Sequence, residues 1–388
     1  MQRHRVSEQV FVGLDGAGVV RLWNHEAERV TGIFLVPAQW QAVCAAQQAK
    51  PRDIRLRALS WGAAPATDAL LRQMSETFPS SKILAAFGQT EMSPVTCMLL
   101  GEDAIRKRGS VGKVISMSGY LQMGLHKMSD QLSVPDHITQ EGQTYKDSFD
   151  HGTERWTLAG ILQNSSNVGM IMAGENYPDE QRYEYLTKFG IGQPTGLNLP
   201  GESSGLLTNP SAWDLRTRNT ILFGQGYTVN ALQLNNVVAT IANKGVKQQQ
   251  SIIKSTTDAN GKTTETKKGE ATRVVDEKVA SDMMNAMESV AEGYNKFVKV
   301  DGYRMAAKSG TAEVQGSDGT LSSIISDYSV VIPADNPRYA VTVVMKDPNG
   351  VFGGLTAGPV SAQICEFLMQ KYEVPVSSPR KNAIPVTW

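Results

Sequence analysis

RKRGSVGKVISMSGY, residues 106–120, places Ser110 and Lys113 three apart at the head of a segment that reads as a helix. A serine hydroxyl is a poor nucleophile until a neighbouring base takes its proton, and residues three apart share a helix face. The Lys113 amine would therefore reach the Ser110 hydroxyl, and a helix N-terminus would favour negative charge on that oxygen. Lysine serves as a base only if its pKa falls, which burial and a second cation both cause. The spelling alone is weak: Ser251 with Lys254 and Ser378 with Lys381 repeat it in polar surroundings. Only Ser110 precedes both a Ser-Ser-Asn triplet at 165–167 and a Lys-Ser-Gly-Thr run at 308–311. Order and company, not the motif, single it out.

Around those motifs stand HG at 151–152, NSSNVGM at 164–170, FGIGQPTGLNLPGE at 189–202, LFGQGYTVNALQ at 222–233 and AAKSGTAEV at 306–314. From Gly109 to the C-terminus the chain resembles the transpeptidase domain of class B penicillin-binding proteins, which share a three-part signature with serine β-lactamases. These are the serine acyltransferases that cross-link peptidoglycan. The resemblance implies an α+β fold, an antiparallel sheet flanked by helices, with Ser110 as the acyl-accepting nucleophile. Lys113 would be its base, and Lys308 the second cation. Ser165 would relay a proton between Lys113 and the leaving amine, and Asn167 would hydrogen-bond the donor peptide. Lys308 would supply fixed positive charge and, with Ser309 and Thr311, grip a terminal carboxylate of a D-Ala-D-Ala stem peptide or of a β-lactam. Gly310, lacking a side chain, would let substrate backbone lie along the strand edge. The backbone N–H groups of Ser110 and Thr311 would form the oxyanion hole. No cofactor and no metal are implied. Read without the resemblance, the serine-asparagine triplet also suits a helix C-terminus with Asn167 in a left-handed cap, and residues 308–311 suit an edge strand broken by glycine.

The rest of this region reads as a packed domain. Residues 230–245 form an apolar-faced helix stopped by Gly245, and residues 277–293 another stopped by Gly293. SDYSVVI (326–332) and RYAVTVVM (338–345) read as an antiparallel hairpin, with the Lys308 strand expected beside it. Residues 248–270, rich in Lys, Thr and Gln, read as an exposed excursion. Gly353-Gly354, just before the last helix, matches the family wording as well.

Upstream the wording changes twice. Residues 8–33 read as two short strands around Asp15-Gly16 followed by a helix from Asn24, and resemble the opening of a PAS sensor domain. From Phe34 the pattern is a helix over 38–48 with Pro37 in its first turn, then a strand (56–64), a helix (67–78) capped by Thr67, and a second strand (82–91). That spacing predicts a right-handed crossover in a parallel sheet. SWGAAPA (60–66) and AFGQTEM (86–92) resemble the adenylating acyl-CoA ligases, an appended α/β fragment in which Gln89, Thr90 and Glu91 would wall a nucleotide. The family's phosphate loop, ribose-binding Asp and hinge Lys have no counterpart here, so no group is left to cradle a triphosphate.

Composition bounds the alternatives. Lys plus Arg equals Asp plus Glu at 38 each in 388 residues, which gives no overall field for nucleic acid or an anionic membrane. Cys44, Cys97 and Cys365 are far apart, and the five histidines show no ligand spacing. No run of about 18 apolar residues exists and the start lacks a signal-peptide core, so the chain as written would be cytoplasmic, although the family it resembles is membrane-anchored. The expected organisation is 1–33 PAS-like, 34–109 ligase-like and 110–388 transpeptidase. Both junctions fall where two wordings share letters: RVTGIF (29–34), and GSVGKVI (109–115), where Arg108 replaces the usual proline. The chain therefore reads as a composite whose transpeptidase domain lacks its own leading strands and helix. An open strand edge, and an enzyme of doubtful activity, would follow. Ligase activity, a PAS-type sensing module and a chimera without function are the competing readings.

Overall fold

The computed structural model describes residues 32–35, 37–51, 56–62, 68–87, 97–100, 111–140, 142–197, 202–267, 269–315, 321–346, 348 and 352–388. The chain divides into two compact units, residues 1–105 with 199–202, and residues 106–198 with 203–388.

In the first unit β1 (Gly32–Leu35), β2 (Ala58–Gly62), β3 (Lys82–Phe87) and β4 (Cys97–Leu100) form one sheet in that order. β1, β2 and β3 run parallel, while β4 returns antiparallel to β3. The connecting helices are α1 (Pro37–Ala49), begun by Pro37 as expected, and α2 (Asp68–Thr77). Burial of Leu70, Met74 and Phe78 at helical spacing docks α2 over Trp40, Cys44 and Leu59. The strand-helix-strand crossover read from the sequence is present, and β4 is an addition to it. Residues 1–31, Thr67 and Gln89, Thr90 and Glu91 lie outside the described residues.

The second unit opens with α3 (Gly112–Gln122), of which nine residues are buried, Lys113, Ser116 and Ser118 among them, so it is enclosed on every face rather than striped. It continues through β5 (Gln131–Val134), β6 (His137–Gln140), β7 (Gln143–Lys146), β8 (Glu154–Thr157), α4 (Leu158–Gln163), α5 (Asn167–Ala173), α6 (Asp179–Lys188), α7 (Leu215–Leu222) and α8 (Ala231–Ala242). β9 (Val246–Gln248), β10 (Ser255–Thr257), β11 (Thr263–Glu265) and β12 (Ala271–Arg273) pair as two small ladders, and the β10–β11 hairpin is exposed throughout, as its composition suggests. α9 (Glu277–Gly293) has the limits that its apolar period and Gly293 predict.

The main sheet has the order β13 (Ala306–Gln315), β14 (Leu321–Ile332), β15 (Tyr339–Lys346), all antiparallel. Both faces are covered. Ala306 and Val331 join the core built on α3, α4 and α9, whereas Ala307, Val330 and Ile332 join the core under α10 (Gly353–Lys371). Alternation along β13 therefore sends Lys308 to the same face as Ala306, and Ser309 to the other. β13 is an edge strand among the described residues, yet Gly310 does not break it: Gly310 pairs with Asp327 in a ladder whose register holds from Ala306 to Val314. Among the described residues β15 has a strand partner only on its β14 side, and its residues from Tyr339 to Met345 are all half-buried.

Candidate active site

α4, α5, α3 and β13 deliver their polar side chains to one cleft of about 820 Å³ within the second unit. Its floor holds Lys113, Ser165, Asn167, Ser309, Gly310 and Thr311. Ser110 lies outside the described residues. Lys113, three residues on, sits in the first turn of α3.

The serine-asparagine triplet works through three different backbone states. Thr157 caps α4, its hydroxyl accepting the Gly160 N–H at 3.1 Å, and the helix stops after Gln163. Ser165 then takes a left-handed φ of 54°, uncommon for a residue with a Cβ. Ser166, fully buried, returns to an extended conformation and caps α5, its Oγ accepting the Gly169 N–H at 2.8 Å. Asn167 is the first residue of α5. The alternative with Asn167 as a left-handed cap is thus corrected: the left-handed residue is Ser165, held there because a helix ends on one side of it and another begins two residues later.

The two lysines are both buried and take different partners. Lys113 Nζ donates to Asn167 Oδ1 at 2.8 Å and to the Phe223 carbonyl at 3.4 Å, and lies over the Phe223 ring. Lys308 Nζ donates to Ser165 Oγ at 2.9 Å and to the Ser309 carbonyl at 2.6 Å. The Ser165 hydroxyl, expected to relay a proton from Lys113, thus bonds the strand lysine here. Burial pushes the Lys113 pKa well below the ordinary lysine value, the Lys308 charge lowers it further, and Asp147 opposes both. Burial also lowers Lys308, to about 8, with Asp327 opposing. Lys308 is consequently charged at neutral pH and titrates near 8.

On the other face of β13, the Ser309 Oγ and the Tyr294 hydroxyl lie 3.0 Å apart. Thr311 Oγ1 accepts the Gly353 N–H at 3.1 Å, which leaves its hydrogen for a ligand. Gly353 begins α10 against the strands: a Cβ there would stand 2.2 Å from the Gly310 carbonyl oxygen and 2.3 Å from that of Asp327. Gly112 is similarly constrained, with the Gly224 Cα at 2.2 Å from where its Cβ would be. That contact brings the loop after α7 against the head of α3.

Several groups of this site were not singled out from the sequence. Asp147, Phe223 and Tyr294 reach it from sequence positions remote from the motifs they contact, and Gly353, read from the sequence only as family wording, meets Thr311. The only signal for the first was the HG pair at 151–152, four residues beyond it. Among the described residues no group of His, Cys, Asp and Glu could hold a metal ion.

Comparison with known proteins identifies the family. The family model described as penicillin binding protein transpeptidase domain matches residues 103–366. The chain belongs to this family. A second model, AMP-binding enzyme, matches residues 15–121, so one chain carries two family wordings that overlap at the head of α3. Penicillin-binding protein PbpB of Mycolicibacterium smegmatis is 33% identical over 283 residues, which span 69% of this chain and 44% of that protein. Peptidoglycan D,D-transpeptidase FtsI of Escherichia coli is 32% identical over 299 residues, 74% of this chain and 48% of that one. The chain thus spans less than half the length of these curated relatives. Among solved structures, a peptidoglycan synthetase from Bifidobacterium adolescentis is 68% identical with a TM-score of 0.70, covering 73% of this chain and 52% of that one. The penicillin-binding α+β fold expected from the motifs is the fold observed.

Proposed function

We propose that the second unit is a serine D,D-transpeptidase domain that acts through an acyl-enzyme on Ser110, within a composite organised as 1–33, 34–109 and 110–388. One observation carries this reading: Lys113 lines the cleft bound to Asn167, and a second buried lysine, Lys308, is bound to Ser165, which lines the same cleft. A depressed pKa gives Lys113 the neutral amine that a general base needs at neutral pH. Ser110 Oγ attacks the carbonyl of the penultimate residue of a stem peptide ending in D-Ala-D-Ala, and its proton passes to Lys113 Nζ. The C–N bond breaks, the terminal D-Ala leaves as an amine that takes up a proton, and the acyl group stays on Ser110 as an ester. An acceptor amine then displaces the serine, which regains its proton. Ser165, with Lys308 behind it, is placed to hand a proton to the leaving amine, because Lys308 at about 8 can both give and regain one.

Ser309 and Thr311 hold the substrate carboxylate, with the buried positive charge of Lys308 behind them, and a β-lactam presents the same carboxylate beside a strained amide. Support for that ligand class comes from penicillin-binding protein 3 of Mycobacterium tuberculosis, 31% identical with a TM-score of 0.68 and solved complexed with ampicillin. The AMP-binding match covers residues 15–121, but the sequence shows no phosphate loop that would bind a triphosphate. No helix among the described residues is long and apolar enough to cross a membrane. The family's place outside the cytoplasmic membrane is part of the proposal for the whole protein. Incubation with a fluorescent penicillin followed by denaturing electrophoresis tests the reading. A covalent band in the wild type that disappears in Ser110→Ala is expected, and absence of label on folded wild-type protein refutes it.

A further inference from the structure

Asp147 is buried completely at the side chain and lies one residue past β7, where no helix cap is recognisable from sequence. Its Oδ1 accepts two backbone N–H groups, from Asn167 at 2.5 Å and from Val168 at 3.0 Å. With Ser166 taking the Gly169 N–H, three of the four orphan donors of α5 are satisfied by two side chains. Its Oδ2 lies 3.1 Å from His151 Nε2, and that ring's Nδ1 faces the Gly152 carbonyl at 2.6 Å. The His151 ring is fixed in turn between Phe149 and Trp156, each with its centroid 5.0 Å away.

The consequence falls on Asn167. Its backbone is pinned by Asp147, and its Nδ2 donates to the carbonyl of Lys146, the residue before Asp147, at 3.2 Å. The amide can then present only Oδ1 to Lys113. The hairpin β6–β7 thus fixes both the position and the orientation of the group that holds the Lys113 amine. Resting on the acyl-transfer reading above, we infer that Asp147 and His151 form a buried positioning pair that fixes Asn167 against Lys113 and so governs the rate of Ser110 acylation. They act through another residue and do not touch the reacting atoms.

The pair is also electrostatically coupled to the site. Asp147 is the group that holds the Lys113 pKa up, against burial and Lys308. Other charged groups around it are Lys146 and Asp150 beside it in the chain and Asp136, whose carbonyl accepts the Asp147 N–H at 2.9 Å. Removing only its charge therefore leaves Lys113 easier to deprotonate, and the alkaline rise of acylation moves to lower pH.

The test is the second-order rate of labelling by fluorescent penicillin across pH, with thermal melts, for the full chain and its Asp147→Ala, Asp147→Asn and His151→Phe variants. Displacing Asn167 in Asp147→Ala is expected to slow labelling on the order of 100-fold. Asp147→Asn keeps an acceptor oxygen, so it should recover part of that loss while its rising limb shifts to lower pH. His151→Phe, which refills the space between the rings but cannot bond Asp147, should fall between wild type and Asp147→Ala. Wild-type rate and pH dependence in Asp147→Ala overturns the inference. So does a loss in either Asp147 variant that merely follows the unfolded fraction, with the limb unmoved in Asp147→Asn. Failure of folded wild type to label at all overturns the acyl-transfer reading itself, and is thereby distinguishable.

Discussion

Replacing Lys308 by methionine exposes what burial of this lysine costs the fold. The ordinary lysine value of 10.5 falls to about 8 in the native protein, so between those pH values the unfolded chain holds a proton that the folded one has lost. Stability rises with pH wherever the unfolded state binds more protons, so wild type should gain stability from pH 8 upward. At about 1.4 kcal/mol for each pKa unit, the full gap is worth about 3 kcal/mol. Buried tyrosines Tyr120, Tyr177, Tyr227 and Tyr328, and Cys365, pull the other way, because burial raises their pKa values and stability falls once their unfolded forms ionise. Those contributions are common to both proteins and cancel in the difference. Urea unfolding of wild type and Lys308→Met at steps from pH 7 to 10 measures it. The variant's advantage should be greatest at pH 7 and shrink by roughly 1.4 kcal/mol for each pH unit above 8. The loss of the Ser165 and Ser309 contacts shifts the whole curve but not its slope. A difference that stays constant, or grows with pH, would refute the burial argument.

Three further outcomes are expected. Acylation should rise as Lys113 loses its proton and fall as Lys308 loses its own near pH 8; Lys308→Arg, permanently charged, should abolish the falling limb even where its absolute rate is lower. Ser166→Ala removes the α5 cap and should cost about 1 kcal/mol in a denaturant titration, with labelling slowed as Asn167 loosens. Tyr294→Phe strips the Ser309 hydroxyl of its partner and should cost about 1 kcal/mol by the same titration while leaving α9 intact by circular dichroism.

Much of the second unit was legible because its signals are local. The helix at 277–293 announces itself by period and a terminal glycine, and β14 with β15 by two β-branched runs around a turn. Motif order placed Lys113, Ser165, Asn167 and Lys308 together, although they come from three separate parts of the chain. What sequence could not resolve was the pairing among them. Ser165 and Asn167 are two residues apart, and only the left-handed turn at Ser165 decides that the first meets Lys308 and the second Lys113. Asp147 was illegible for a related reason: it caps α5 from about 20 residues upstream, so no capping pattern marks it. In the first unit, periodicity found β2, α2 and β3, while β4 carries too few residues to stand out.

Mass spectrometry of a proteolytic digest after exposure to benzylpenicillin tests the central claim most directly. The peptide containing Ser110 should carry one covalent penicilloyl group in wild type and none in Lys113→Ala at neutral pH. An adduct on any other residue, or an unmodified Ser110 peptide from protein shown to be folded, would contradict it.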